Sequence, residues 1–183
     1  MINADEYIQL KAFARQDGLF LGLLWVICFA CLVYSVTDPS LQLIFVAGSI
    51  ATPFIAYYRL KHFRDKVLEG NISFLRAFAF VAFMMGYGSI IMAAATYCYF
   101  YFLDHGTFMN ILQQNMSMPE VRNSLTQAGI DIKEMEKQMT ALSQSRPIDF
   151  ALNVFSNGLL TALIMGAIIG FMGKRVRLLN IEN

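Results

Sequence analysis

Charged side chains are scarce in this sequence and are absent from four long stretches of it. Asp, Glu, Lys and Arg make up only 15% of the 183 residues, whereas 57% are hydrophobic. Soluble domains carry about a quarter charged residues, so the composition excludes an ordinary soluble domain and indicates an integral membrane protein surrounded by the lipid bilayer. The net charge is only +1, without the basic surplus of a nucleic-acid-binding protein, and we expect no nucleic-acid partner.

Ionisable groups inside the membrane are a second absence. Ion and proton pathways normally use Asp, Glu, Lys, Arg or His within the spans, and the four uncharged stretches contain none of these residues. The sequence therefore argues against a proton-coupled transporter.

Cysteine is also rare, with three residues in the chain. Cys28 and Cys31 form a C-x-x-C pattern, but a redox or zinc pair needs thiolates that a metal or a nearby positive charge stabilises. The middle of an apolar stretch offers neither, so we interpret Cys28, Cys31 and Cys98 as small buried hydrophobic residues.

Residues with catalytic potential are confined to the ends of the polar region. Asp104, His105 and Asp149 could converge as an acid, a base or a metal site if the third and fourth spans are neighbours. No nucleophile, phosphate-binding loop or metal-ligand spacing accompanies them, which favours solvated residues at the ends of a loop. We therefore predict a non-enzymatic protein that uses no cofactor and no metal.

The uncharged stretches are long enough to be membrane helices. About 23 residues at 1.5 Å each reach roughly 34 Å, enough to cross the hydrocarbon core. The predicted fold is all-α, an integral membrane four-helix bundle formed by a single domain over residues 1–183. Its spans are 18–36, 41–58, 77–103 and 150–172.

The first helix has a start signal well before its span. Asn3 and Glu6 are spaced as an N-cap and a capping-box partner. This segment is either a short helix on the membrane surface or the first turns of the span itself.

The second span carries a helix breaker. Pro53 predicts a kink, with Thr52 or a neighbouring helix satisfying the freed carbonyl of Ser49. Beyond this span, Gly70-Asn71 predicts a helix end with left-handed backbone, and Ser73 is placed to cap the next helix.

Small residues recur every four positions in the last span, at Gly158, Ala162, Gly166 and Gly170. Such a stripe allows another helix to approach to backbone contact. The sequence leaves two partners open, which are span one with its Gly18, or the same span of a second copy in a homo-oligomer.

Polar residues accompany this stripe. Asn153 and Asn157 lie one turn apart, and we expect both to form hydrogen bonds to another span. Together with the kink they could shape a groove between spans for a lipid or polyprenyl chain. The candidate groove residues are Pro53, Asn153, Ser156, Asn157 and Thr161.

Residues 104–149, named the insertion below, are the only sizeable polar region. Ser117 and Glu120 resemble a capping box, Gly129 ends that helix, and Asp131 starts another, so two short helices are predicted. The second has an apolar face that packs on the rest of the insertion, on the membrane or on a protein partner. This face consists of Ile132, Met135, Met139 and Leu142.

Basic residues predict the orientation. Ten of the 14 Lys and Arg residues lie before span one, between spans two and three, or after span four, and four lie in the insertion. Both termini are therefore predicted to be cytoplasmic and the insertion extracytoplasmic. The basic run after span two predicts an amphipathic helix along the membrane, with Arg59 and Arg64 facing away from its apolar side.

Several segments resemble one family over nearly the whole chain. Gly70 to Phe74 lead into span three, Ala77-Phe78 follow, and Leu125 to Ile130 form a turn before an acidic helix. With four spans, this pattern is similar to the bacterial inner-membrane family called domain of unknown function 4199. The resemblance implies a multi-pass protein of the bacterial inner membrane and supplies no catalytic residues. Two functions fit, a scaffold or accessory subunit that binds a protein partner, and a lipid-handling or transport accessory.

Overall fold

The computed structural model describes residues 4–175. This part of the chain folds into seven α-helices, and a π-helical turn at Tyr99–Leu103 extends the third. The helices are α1 Ala4–Tyr34, α2 Leu41–Val67, α3 Phe74–Cys98, α4 Thr107–Ser117, α5 Pro119–Gln127, α6 Ile132–Ser143 and α7 Pro147–Gly173. The all-α prediction is confirmed.

Four helices are long and apolar enough to cross a membrane, namely α1, α2, α3 with its π-helical turn, and α7. Each is longer than its uncharged stretch, because polar residues at the span ends continue the same helix. α1 runs without a break from Ala4 to Tyr34, so the segment before span one is part of that helix. The predicted cap Asn3 lies outside the described residues.

α3 is the central helix of the bundle, with α1 on one side and α7 on the other. A Cβ added to Gly18 of α1 would lie 2.5 Å from the carbonyl oxygen of Met84. A Cβ added to Gly170 of α7 would lie 2.8 Å from the backbone nitrogen of Phe78. Both small-residue faces therefore pack on α3. Of the two partners that the sequence left open for the α7 stripe, span one is wrong. α3 admits both faces because it contributes small residues of its own, Gly88 and Ser89.

α2 packs mainly on α1. Gly48 faces the sulfur of Cys28, and the indole Nε1 of Trp25 donates to Thr52 Oγ1 at 3.0 Å. α2 remains continuous through Pro53. The Thr52 hydroxyl donates to the carbonyl of Gly48 at 2.9 Å rather than to that of Ser49, because a helical threonine reaches the carbonyl four residues before itself.

The turn between α2 and α3 matches the prediction in part. Gly70 has a φ of +82°, but its left-handed neighbour is Glu69, at +52°, instead of Asn71. Ser73 caps α3 by accepting from the backbone N–H of Arg76 at 3.5 Å. Ile72 pairs with Arg175 through two backbone hydrogen bonds, which fastens this turn to the end of α7.

The insertion contains three helices instead of two. The additional helix, α4, begins where the Asp104 carboxylate accepts from the backbone N–H groups of Gly106 and Phe108, at 3.1 and 2.7 Å. Ser117 does not cap α5, since its hydroxyl donates back to the Gln114 carbonyl at 2.7 Å. The sequence did not predict α4, because its capping residue Asp104 is separated from the first helical residue by a turn that contains Gly106.

Candidate functional site

A cleft opens between α2 and α7. The two helices meet at the basic end of the bundle, defined as the end with the α2–α3 turn and the end of α7. There Leu60 packs against Gly173, and Arg64 Nη1 donates to the Gly173 carbonyl at 3.0 Å. Toward the opposite end, which carries the insertion, residues 41–51 of α2 contribute no buried side chain. Here α2 leans on α1 and leaves α7 open.

The base of this cleft is a cavity of about 260 Å³ to which all four spans contribute. Its apolar lining comes from Cys28 of α1 and from Met85 and Met92 of α3. Thr52 of α2 and Thr161 of α7 add hydroxyl groups on opposite walls. The cavity is therefore mainly apolar, with a few polar groups at its edges.

The predicted groove residues of α7 extend this cleft toward the insertion end. All four, Asn153, Ser156, Asn157 and Thr161, are exposed. Asn153, Asn157 and Thr161 each come directly before a residue of the α7 face that packs on α3. They therefore form a row beside the α3 contact. Because Thr161 lines the cavity opposite Thr52, this row lies on the α2 side.

The two asparagines bond to each other. Asn157 Nδ2 donates to Asn153 Oδ1 at 2.9 Å, so the predicted hydrogen bonds to another span are wrong. The i, i+4 spacing places the two amides side by side. Pro53 is half-buried, and its neighbour Thr52 lines the cavity instead of the proline.

An ion pair joins the first two spans. Arg59 of α2 contacts the carboxylate of Asp17 of α1, whose side chain is 4% exposed. The neighbouring Gly18 packs at Met84, about ten residues or 15 Å along α3 from its start. The pair therefore lies between the helices, well inside their length, and holds α2 to α1.

Asp17 directly precedes the predicted span 18–36 and Arg59 directly follows the predicted span 41–58, yet the pair lies between packed helices rather than at the span ends. Arg59 does not face away from the bundle, and Arg64 is also buried, at 8% exposed. The sequence did contain a signal for this burial. Asp17 comes directly before Gly18, a residue of a small-residue face, and its carboxylate therefore lies near a helix contact.

The chain matches a family described as Protein of unknown function (DUF4199) over residues 16–175. The chain belongs to the DUF4199 family. The match includes the cleft, the Asp17–Arg59 pair and the insertion. Comparisons with curated proteins and with solved structures gave no match. The resemblance seen in the sequence is thereby confirmed, whereas the bacterial inner-membrane location stays a prediction.

The three residues considered as a catalytic trio, Asp104, His105 and Asp149, have different surroundings in this DUF4199 protein. Asp104 is buried, at 4% exposed, and accepts from the Tyr99 hydroxyl at 3.0 Å in addition to capping α4. His105 is exposed, and Asp149 pairs with Arg146 at 3.0 Å, a contact that raises the pKa of Arg146. The expectation that Asp104 is solvated is wrong. Among residues 4–175, no group of three or more His, Cys, Asp or Glu side chains is arranged to hold a metal.

The apolar face of α6 is turned partly inward. Met139 is buried, at 8% exposed, and lines a cavity of about 350 Å³ together with Met116 of α4. Ile132 and Met135 are half-buried, and Leu142 is exposed. The DUF4199 insertion therefore covers much of this candidate partner face itself.

The three cysteines are free thiols in different surroundings. Cys28 is buried, Cys31 is half-buried, and Cys98 is exposed. The prediction of a buried residue is thus right for Cys28 and wrong for Cys98, which is exposed and lines a cavity between α1 and α3.

Proposed function

We propose that this DUF4199 protein is a non-enzymatic scaffold or accessory subunit of the bacterial inner membrane that receives a transmembrane helix of a partner protein in the α2–α7 cleft. The observation that carries the proposal is the pair of exposed amides, Asn153 and Asn157, on a largely apolar spanning helix. Polar side chains facing hydrocarbon are unfavourable, whereas across a helix–helix contact they stabilise association.

The two surfaces that the sequence suggested for a protein partner are less accessible than the cleft. The stripe of small residues on α7 is already occupied by α3, with Gly166 and Gly170 against Phe78. The α6 face is partly covered within the insertion. In the α2–α7 cleft, α7 forms one wall. Along the half of α7 nearer the insertion, α2 does not cover this wall.

The proposed orientation places both termini in the cytoplasm. Its support is the distribution of ten Lys and Arg residues on one side of the spans against four in the insertion. Loops with more Lys and Arg remain cytoplasmic. The cleft then opens toward the extracytoplasmic half of the bilayer.

Copurification from native membranes tests this function. The wild type is expected to retain a stoichiometric membrane protein in mild detergent. The Asn153→Leu/Asn157→Leu variant should fold, since membrane side-chain hydrogen bonds contribute only about 0.6 kcal/mol on average, and should lose the partner. A matched control, Leu152→Ala/Leu163→Ala, changes two exposed positions of α7 that lie outside the row of asparagines and should retain it.

Either of two results contradicts the partner-helix proposal. One is the absence of any stoichiometric protein from the wild-type preparation. The other is full retention of the partner by the double asparagine variant, which would place the contact elsewhere.

A lipid chain is the second candidate occupant, and the apolar cavity at the base of the cleft favours it. Trp25 lines this cavity and is the only tryptophan of the chain. An acyl chain bound there with a bromine near its end should quench most of the tryptophan fluorescence. A Thr161→Trp/Trp25→Phe variant moves the reporter across the cavity and should respond equally, whereas unequal quenching would argue against a chain between the two walls.

A further inference from the structure

We propose that a second groove, between α1 and α3 at the basic end, binds an anionic phospholipid through Arg15. This site differs from the α2–α7 cleft in position and in chemistry. The phosphate would contact the guanidinium of Arg15, and one acyl chain would lie along Leu19, Ile90 and Ile91.

The shape of the groove fits an elongated apolar group. It has a volume of about 590 Å³ and is lined along α1 by Ala12, Arg15, Gln16 and Leu19, and along α3 by Tyr87 and Ile91, among others. α1 and α3 run in parallel, and Gly22 packs against Ile91. The groove therefore extends about seven residues, or roughly 10 Å, along α1 from Ala12 to Leu19, into the apolar part of the span.

The charge at one end of the groove fits a phosphate. Three other arginines on the spanning helices form ion pairs, Arg59 with Asp17, Arg64 with Asp65 and Arg76 with Glu6. Arg15 is exposed and has no ion-pair partner among the described residues.

The direction of the Arg15 side chain also fits a headgroup. Helical side chains lean toward the N-terminus of their helix, which for α1 is the basic end of the bundle and therefore a membrane surface. Guanidinium groups bind phosphate through two parallel hydrogen bonds. Lys11, one turn before Arg15 and with its Nζ 5.2 Å from the Tyr7 ring centre, adds a second positive charge at the same end.

Two features favour an anionic phospholipid over other phosphates. A zwitterionic headgroup would bring its own cation beside Arg15 and Lys11, where like charges repel. A soluble phosphate would leave the apolar part of the groove unused, and burial of apolar surface supplies much of the binding free energy of a lipid chain.

Lipid binding to the purified protein in detergent tests the proposal. Native mass spectrometry compares the affinities of phosphatidylglycerol and phosphatidylcholine that carry identical acyl chains. We expect phosphatidylglycerol to bind about tenfold more tightly or better, the ratio expected for one charge-assisted contact. Arg15→Gln should reduce this ratio to near one. Lys61→Gln, which removes an exposed lysine of α2, should leave the ratio unchanged.

A second variant and a soluble probe keep the test decisive if Arg15→Gln should fail to fold. Leu19→Trp fills the apolar part of the groove without changing the charge, and it should weaken the binding of phosphatidylglycerol at least severalfold. Glycerol phosphate alone should not compete at millimolar concentration. Equal binding of the two lipids, no effect of Arg15→Gln or of Leu19→Trp, or competition by glycerol phosphate would overturn the proposal.

Discussion

The replacement of Gly170 by alanine tests the close packing of α7 on α3. At this position an added Cβ would lie 2.8 Å from the backbone nitrogen of Phe78 and 3.0 Å from its Cα. These atoms belong to a helix backbone and cannot rotate away, so α3 and α7 must separate. Overpacking of this kind typically destabilises a protein by about 1–3 kcal/mol.

Gly86 of α3 provides the matched control, because it lies in the same interface. A Cβ added there would meet only the Leu159 side chain, at 3.8 Å, an ordinary van der Waals distance. Both Gly→Ala changes gain the same helix propensity, about 1 kcal/mol, so this term cancels in the comparison. The difference in the free energy of unfolding between the two variants should be the steric term, about 1–3 kcal/mol.

Thermal unfolding in detergent measures this difference. For a chain of this size, about 2–4 °C is expected for each kcal/mol, with Gly170→Ala melting below Gly86→Ala. Size-exclusion chromatography should show the same oligomeric state for both variants, because the contact lies within one chain. Equal melting temperatures, or dissociation of an oligomer by Gly170→Ala alone, would refute the packing of the stripe on α3.

Two further predictions follow from the charges of the bundle. Asp17→Asn should lower the melting temperature in detergent. The loss in the free energy of unfolding should be smaller than the about 3–5 kcal/mol typical of breaking a fully buried pair, because the Arg59 side chain is 34% exposed. The double variant with Arg59→Gln should recover part of the loss, and no recovery would exclude coupling between the two side chains. In a cysteine-free background, a cysteine at Gln127 should react with a membrane-impermeant thiol reagent added from outside the inner membrane, and one at Lys66 should not; the reverse pattern would invert the topology.

The number and position of the spans could be predicted from the sequence because hydropathy and helix length depend on each residue's own transfer free energy. The caps at Ser73 and Asp131 were also predictable, since a cap depends on a few adjacent residues. α4 was not, because its cap, Asp104, is separated from the helix by a glycine with a φ of +84°.

The pairing of helices could not be read in the same way. A stripe of small residues shows that a helix lies close by but not which one, and α3 rather than α1 faces Gly170. The ion pair between Asp17 and Arg59 joins residues 42 positions apart, and each alone resembled the polar end of a span. The cleft itself results from α2 leaning toward α1, through contacts such as Gly48 on Cys28, so no local pattern encodes it.

Photo-crosslinking in native membranes tests the partner-helix cleft most directly. A benzophenone-bearing residue in place of Thr161, which lines the cavity, is compared with the same residue in place of Leu163, which is 53% exposed on the opposite side of α7. The account predicts one discrete protein adduct from position 161 that is lost in the Asn153→Leu/Asn157→Leu variant and absent from position 163. Lipid adducts alone, or the same protein adduct from both positions, would contradict it.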